Sequence, residues 1–370
     1  MNKWGRREWW EEHQWTSDDV DQMWQEEKAR LEKQPWYEAG KPCKTDIFFQ
    51  RDRREEMEHT WGRWGAEGIG RLRKVALFRP HEYEINPVFE REPAYYRLYK
   101  NKLPDLKKWR ASFNDYVKIL EGEGVEVVYL EPPDSPIGPY GFYRFFATPG
   151  GMTATKAGMI IQRAGRTGAA VDFGLGKWLA QETIRLGCPI YHSMLAPSEI
   201  TPIYIAEDSV VIAEGYPTPA EGAQEMKTLL EAVGDEVWVA NTTGYLDYWG
   251  FPAGGTSHLD MVLATVDLGL VMVYPSLLDW RTITYLRSKK IRFVEVPPDE
   301  WTEYANNIIE IEPGKIVIPV AAKETIRKLR KEGVTCIEAD FEENSKSGLG
   351  GPDCLTMKLL RDPGPSLSDL

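Results

Sequence analysis

Residues 278–338 read LDWRTITYLRSKKIRFVEVPPDEWTEYANNIIEIEPGKIVIPVAAKETIRKLRKEGVTCIE. Leu278–Ser288 spaces its apolar residues along one helical face and stops at the Lys289-Lys290 pair. Ile291–Val296 then reads as a strand rich in β-branched side chains. Ile308–Ile311 and Ile316–Pro319 are two further short strands, parted by a Pro-Gly turn signal. Lys323–Glu332 is helical again, Gly333 ends it, and Val334–Glu338 returns as a strand.

The same unit recurs upstream. Leu103–Glu121 leads into Val125–Leu130, Gly176–Leu186 into Pro189–His192, and Pro219–Ala232 into Glu236–Ala240. Between these lie the strands Val75–Phe78, Met159–Gln162, Ile203–Ile205, Val210–Ala213 and Leu270–Tyr274. Five helix–strand returns predict an internal repeat of about 50–60 residues, each unit burying its face only against its neighbours. The alternation sets the class as α/β. Five units closed into a ring give a five-bladed propeller of small αβ modules, with an open parallel sheet as the competing arrangement.

Composition narrows the function. The chain has 45 basic and 57 acidic residues, a net charge of −12, which disfavours nucleic acid and anionic membranes as partners. No apolar run approaches the roughly 20 residues of a membrane helix. The N-terminal MNKWGRREWWEEHQW lacks the apolar core of a signal peptide. Cys43, Cys188, Cys336 and Cys354 form no CxxC pair, so reducing cytoplasm is the expected compartment. The histidines 13, 59, 81, 192 and 258 include no HxH or HExxH, so no metal site is expected. No G-x-G-x-x-G opens a helix, and neither a P-loop nor G-x-S-x-G occurs, so no nucleotide cofactor is expected.

Residues 1–70 stand apart from 71–370. Eight of the 14 tryptophans fall there, at 4, 9, 10, 15, 24, 36, 61 and 64. Ser17 is placed to cap a helix beginning at Asp18, with Val20, Met23, Trp24 and Leu31 as its apolar stripe. This Trp-rich helical extension is expected to pack on the main domain or on a sister subunit of a homo-oligomer; the functional alternative makes some indoles a wall of a substrate pocket.

Two segments put a reactive residue after a Gly-rich turn and before an apolar run. They are Gly254-Gly-Thr-Ser-His-Leu-Asp260 and Gly348-Leu-Gly-Gly-Pro-Asp-Cys-Leu-Thr-Met357. On a strand, His258 and Asp260 share one face. A thiol such as Cys354 needs its environment to become a nucleophile, and a nearby imidazole can supply it. Cys43, Cys188 and Cys336 read as inert small hydrophobes.

The run 350–362, GGPDCLTMKLLRD, resembles the C-terminal nucleophile motif of the guanidino-group-modifying enzymes, the pentein superfamily of arginine deiminases, dimethylarginine dimethylaminohydrolases and amidinotransferases. His258-Leu-Asp260 is similar to their His-x-Asp motif, and Asn306-Asn-Ile-Ile-Glu-Ile-Glu-Pro-Gly314 to their Asn-containing strand upstream of the cysteine. The similarity runs loosely from Leu72 to Pro365. It implies a five-bladed αβ propeller and a metal-independent hydrolase acting on non-peptide C–N bonds. It further implies that Cys354 attacks an amidine-type carbon, that His258 is general acid and base, and that Asp260 orients the substrate or the imidazole. Thr148, Glu199, Asn307 and Gly351 would line the substrate, a small molecule.

The chain departs from the family pattern at two carboxylates. In Phe146-Ala-Thr-Pro-Gly-Gly-Met-Thr153, Thr148 stands where the family has an Asp. In Pro197-Ser-Glu-Ile-Thr-Pro202, a gapless match puts Ser198 at the family Glu, and a one-residue shift puts Glu199 there. A buried charge left unpaired costs roughly 3–5 kcal/mol, so missing acids argue against arginine. They favour a neutral planar ring such as 2-nitroimidazole, with nitrite as leaving group. Tyr140, Phe142, Tyr143, Phe145 and Phe146 would suit such a ring or belong to the core. Amidinotransferase and arginine deiminase-type guanidino hydrolase are the alternatives.

Overall fold

The computed structural model describes residues 16–33, 37–41, 58, 60–80, 105–131, 151–163, 169–215, 217–242, 258–346 and 350–370. The chain divides into two compact units, Met1–Glu56 and Met57–Leu370.

The first unit holds helix α1, Ser17–Leu31. Its cap is Thr16, one residue before the cap expected from the sequence. Thr16 Oγ1 accepts from Asp19 N at 3.2 Å, and Asp19 Oδ2 accepts from Thr16 N at 3.0 Å, a reciprocal capping box whose spacing fits Thr16 and not Ser17. Of its apolar stripe, Val20 is 47 % and Trp24 63 % exposed, while Met23 and Leu31 are half-buried. The tryptophans at 4, 9, 10, 15 and 36, and Cys43, lie outside the described residues.

The second unit is a five-bladed αβ propeller. Its strands are β1 (Leu72–Leu77), β2 (Glu126–Tyr129), β3 (Met152–Thr155), β4 (Gly158–Arg163), β5 (Ile190–Pro197), β6 (Ile203–Ala206), β7 (Ser209–Glu214), β8 (Glu236–Asn241), β9 (Leu263–Asp267), β10 (Leu270–Val273), β11 (Arg292–Glu295), β12 (Ile309–Glu312), β13 (Lys315–Pro319), β14 (Thr335–Ala339) and β15 (Thr356–Arg361). They form sheets of three, in the orders β15-β1-β2, β3-β4-β5, β6-β7-β8, β9-β10-β11 and β12-β13-β14. In each blade the middle strand pairs antiparallel with one neighbour and parallel with the other, and a helix makes the parallel crossover. Those crossover helices are α2 (Leu106–Gly122), α3 (Ala169–Arg185), α4 (Ala220–Ala232), α5 (Trp280–Ser288) and, in the last blade, α7 (Lys323–Lys331). The short α6 (Pro298–Trp301) joins the fourth and fifth blades. The ring closes because β15, near the end of the chain, pairs with β1, Leu77 opposite Thr356. The open-sheet alternative is thereby excluded.

Each blade buries its helix against its sheet. In the first, Leu72, Tyr116, Leu120 and Leu77 have no exposed surface, and burying each such side chain is worth roughly 1.5–3 kcal/mol. The helix–strand returns stand close to where the sequence places them, except that α3 begins at Ala169 and not at the expected Gly176. One strand escaped the sequence pattern: β3 is four residues long, with two threonines and no apolar alternation.

Residues 60–70 belong by contact to this unit. Gly65 N donates to Leu359 O at 3.0 Å, and Trp64 packs on the core shared by Ala76, Met152 and Leu359. Glu67 is buried with this segment, and its Oε1 accepts from Lys156 N at 2.6 Å. Burial pushes its carboxyl up to about 7, opposed by the Lys156 backbone bond.

The strands β3, β6, β9, β12 and β15 set the location of chemistry. Glu199 precedes β6, His258 and Asp260 precede β9, Asn307 precedes β12, and Cys354 precedes β15. The repeat therefore brings residues far apart in sequence to the same end of successive blades.

Candidate active site

Cys354 lies in the one-turn helix Pro352–Leu355, directly before β15. Gly350, in the turn before it, has φ of 82°, a left-handed conformation that glycine adopts without strain. A Cβ there would overlap Cys354 Sγ, and a Cβ on Gly351 would meet the backbone and side chain of Asn307. The two glycines are thus needed for the thiol and Asn307 to approach.

Asn307 ties the site together. Its Nδ2 donates to Asp260 Oδ2 at 2.5 Å and to Cys354 Sγ at 3.1 Å, while its Oδ1 accepts from Cys354 N at 3.1 Å. The thiol donates to Asp260 Oδ2 at 3.4 Å. Asp260 is 3 % exposed, and its Oδ1 has no hydrogen-bond partner among the described residues. A buried carboxylate oxygen of that kind leaves an acceptor for a ligand N–H.

His258 and Glu199 form the second half. His258 Nε2 lies 3.2 Å from Glu199 Oε2. Glu199 N is held by Thr218 Oγ1 at 2.9 Å, and Ser198 turns the other way, its Oγ donating to Gln162 Oε1 at 2.8 Å. Of the two, Glu199 is the one whose side chain lies beside the histidine, while Ser198 bonds Gln162. His258 and Asp260 do not share a strand face as expected. His258 is the extended residue that enters a 3₁₀ turn, Leu259–Met261, and Asp260 lies inside that turn. The turn aims Asp260 at Asn307 and His258 at Glu199. Thr148 and the aromatic run 140–146 lie outside the described residues.

Beside the thiol is a buried charge network that no motif announces. Lys358 Nζ lies 2.9 Å from Asp353 Oδ1 and 3.6 Å from Glu310 Oε2, and Arg361 Nη2 lies 3.0 Å from Glu310 Oε2. Burial pushes Asp353 up to about 6; Lys358 opposes the shift and Asp260 adds to it. Burial alone would lower Lys358, but Asp353 and Glu310 hold its ammonium above the ordinary range. Burial also pushes the Cys354 thiol well above its usual range, and the charges of Asp260 and Asp353 push it further, against the Asn307 bond. The sequence gives no hint of this network, because a lysine within a short strand reads as solvent-facing.

Among the described residues no group of three or more His, Cys, Asp or Glu side chains is placed to hold a metal ion, and no helix is long and apolar enough to cross a membrane.

Comparison with known proteins finds similarity in sequence and in fold. Residues 279–361 match the family model described as Arginine deiminase. The 2-nitroimidazole nitrohydrolase of Mycobacterium sp. (strain JS330) is 26 % identical over 335 residues, covering 86 % of this chain and 87 % of that protein. Among solved structures, dimethylarginine dimethylaminohydrolase from Pseudomonas aeruginosa, complexed with citrulline, superposes with a TM-score of 0.57 at 20 % identity, over 78 % of this chain and 99 % of that one. The amidinotransferase SxtG from Microseira wollei gives a TM-score of 0.60 at 14 % identity, over 80 % and 97 %. In its propeller, in the turn that carries Cys354 and in these similarities, the chain resembles the pentein superfamily of guanidino-group-modifying enzymes.

Proposed function

We propose that the protein is a Cys-dependent hydrolase of amidine-like C–N carbons whose substrate is a neutral planar ring, with 2-nitroimidazole as the model and nitrite as the leaving group. The observation that carries the reading is the Asn307 clamp. It fixes Cys354 Sγ against Asp260 Oδ2 and leaves the buried Asp260 Oδ1 open to a ligand. In this reading a ring N–H donates to Asp260 Oδ1, which places the carbon between the two ring nitrogens over Sγ. The thiol proton leaves along its contact to Asp260 Oδ2, and Sγ bonds to that carbon. The C–N bond to the nitro group breaks with its electron pair, and nitrite departs. A water molecule, deprotonated by His258, then attacks the same carbon. The C–S bond breaks, and Cys354 recovers its proton.

Charge balance supports a neutral substrate. Asp353 and Glu310 are offset by Lys358 and Arg361, and Glu199 is held by a hydrogen bond to His258, whose neutral form the water step uses. That leaves Asp260 as the described carboxylate open to a substrate, with Thr148 at the position of a family Asp. A guanidinium desolvated there would meet one carboxylate, whereas cations in dry sites need full pairing. The similarity to a nitrohydrolase points the same way. Glu199, retained, favours a deiminase-type guanidino hydrolase as the second reading.

The test follows nitrite, ammonia and amine release from 2-nitroimidazole, arginine, agmatine and methylated arginines, with and without an added amine acceptor. Nitrite release that Cys354→Ala abolishes, in a protein that still folds, is the expected result. Efficient ammonia release from arginine without azole turnover would select the second reading. Transfer to the amine acceptor would make the protein an amidinotransferase. Near wild-type turnover by Cys354→Ala would overturn the covalent mechanism.

A further inference from the structure

The turn that carries Cys354 is held from behind by a residue outside all three motifs. Asn344 lies in the short helix α8, Glu342–Lys346. It is 1 % exposed, and its Nδ2 donates to the Gly350 carbonyl at 2.6 Å. Its Oδ1 accepts from Trp109 Nε1 at 3.1 Å. Trp109 is itself buried on the crossover helix α2, and Glu343, the neighbour of Asn344, accepts from Asp105 N at 2.8 Å at the cap of that same helix. A long helix thus grips α8 at two points, and α8 grips Gly350.

Gly350 is the backbone that covers one side of the thiol, since a Cβ there would overlap both Sγ and Cβ of Cys354. Whatever fixes the Gly350 peptide plane fixes the space open to Sγ on that side. Asn344 is suited to this, because an amide offers a donor to the carbonyl and an acceptor to the indole at once. An aspartate at this position would keep the acceptor but set a second carboxylate oxygen against the carbonyl.

We propose that Asn344 is a positioning residue of the nucleophile. Through the Trp109–Asn344–Gly350 relay, it sets the place of Cys354 Sγ relative to Asn307 and Asp260. The proposal rests on the reading of Cys354 as nucleophile. It predicts that loosening the relay moves two observables in opposite directions. Turnover falls, because the attacking sulfur is displaced from its aligned position. Alkylation of the thiol rises, because the covering peptide relaxes away from it.

The experiment compares Asn344→Asp, Trp109→Phe and the double variant with wild type. Iodoacetamide labelling is read separately at Cys354, Cys188 and Cys336 by peptide mass, and nitrite release from 2-nitroimidazole is measured alongside. Asn344→Asp should lower kcat by about fivefold or more, the equivalent of one lost hydrogen bond, with KM little changed. It should speed Cys354 labelling by a similar factor while Cys188 and Cys336 keep their rates. Trp109→Phe should give a smaller change of the same kind, and adding it to Asn344→Asp should add nothing. Unchanged Cys354 labelling in both single variants overturns the proposal, as does equal acceleration at all three cysteines, which marks general loosening. If Asn344→Asp does not fold, Trp109→Phe decides alone, by the same two readouts. Labelling needs no substrate, so a failure of the relay is separable from a failure of the nucleophile reading, which Cys354→Ala tests.

Discussion

Asp260→Asn should make the thiol more reactive and the enzyme nearly inactive. Asp260 Oδ2 lies 3.4 Å from Cys354 Sγ. Two unit charges at that separation repel by about 5 kcal/mol at an effective dielectric of about 20. The sign follows from the order of causes: burial raises the thiol first, and the charge of Asp260 raises it next. Burial and Asp353 stay in place in the variant, so only part of that repulsion is released. Release of little more than a quarter of it, about 1.4 kcal/mol, raises the thiolate fraction roughly tenfold. Labelling at neutral pH should speed up by the same factor, because the thiolate is the reacting form. Asparagine preserves the shape, and its oxygen still accepts from Asn307 Nδ2. Turnover drops because the substrate N–H loses its anionic acceptor and the thiol loses its proton acceptor. The assay is the rate of iodoacetamide labelling at Cys354 against pH, beside nitrite release. Cys188 serves as control, since burial pushes its thiol up to about 12 without help from Asp260. An unchanged labelling midpoint would refute the claim that this carboxylate governs the sulfur.

His258→Ala should lose about 10²–10⁴ in turnover, the usual worth of a general acid–base step; a loss under tenfold in steady-state rate would make His258 structural. Glu67→Gln should stabilise the fold at alkaline pH. The Glu67 carboxyl sits at about 7 when folded against an ordinary 4.5, so its folded form binds the proton more tightly. The stability it contributes is intact below the unfolded value and declines as pH rises through about 7, by up to about 3 kcal/mol. Denaturant melts of wild type and Glu67→Gln should therefore differ least near pH 4.5 and diverge by pH 8.5; the same difference at both pH values would show that Glu67 ionises without penalty.

The parts of the molecule written in local pattern were readable. Helices such as Lys323–Lys331 and strands such as Lys315–Pro319 declare themselves by period and by β-branched runs. Closure was not written locally: Leu77 finds Thr356 across most of the chain, and only the repeat count suggested a ring. The site divided in the same way. Gly-rich turns single out Cys354, His258 and Asp260 in the sequence, and the structure sets Cys354 against Asp260. The geometry of the His-x-Asp turn was misread, because an apolar run after Asp260 suggests that its strand begins early, whereas it starts at Leu263. Asn344 and Lys358 were invisible, since one sits in an acidic stretch and the other looks like any strand-surface lysine. Their roles arise only when separate blades meet.

The propeller separates what can vary from what cannot. Glu199 and the His258–Asp260 pair are delivered by loops that precede β6 and β9, while the core beneath them is built by other residues. A change at Glu199 or His258 leaves those core side chains in place, whereas Ile200, Leu259 and Met261 of the same loops belong to the core itself. The blade that carries Cys354 is different, because Asp353, Lys358 and Arg361 are on the same short segment as that cysteine and form a largely buried network with Glu310. A change there unpairs a buried charge, at roughly 3–5 kcal/mol, so it is constrained by stability as well as by chemistry. On the proposed reading, substrate preference therefore shifts through the loops before β3 and β6, where Thr148 and Glu199 stand, and the covalent step stays with Cys354, Asn307 and Asp260. Thr148→Asp is expected to improve binding of cationic substrates and weaken that of 2-nitroimidazole, with iodoacetamide labelling of Cys354 unchanged. KM values for agmatine and the azole, measured beside the labelling rate, check this; a shift in the opposite sense would remove Thr148 from the substrate's surroundings.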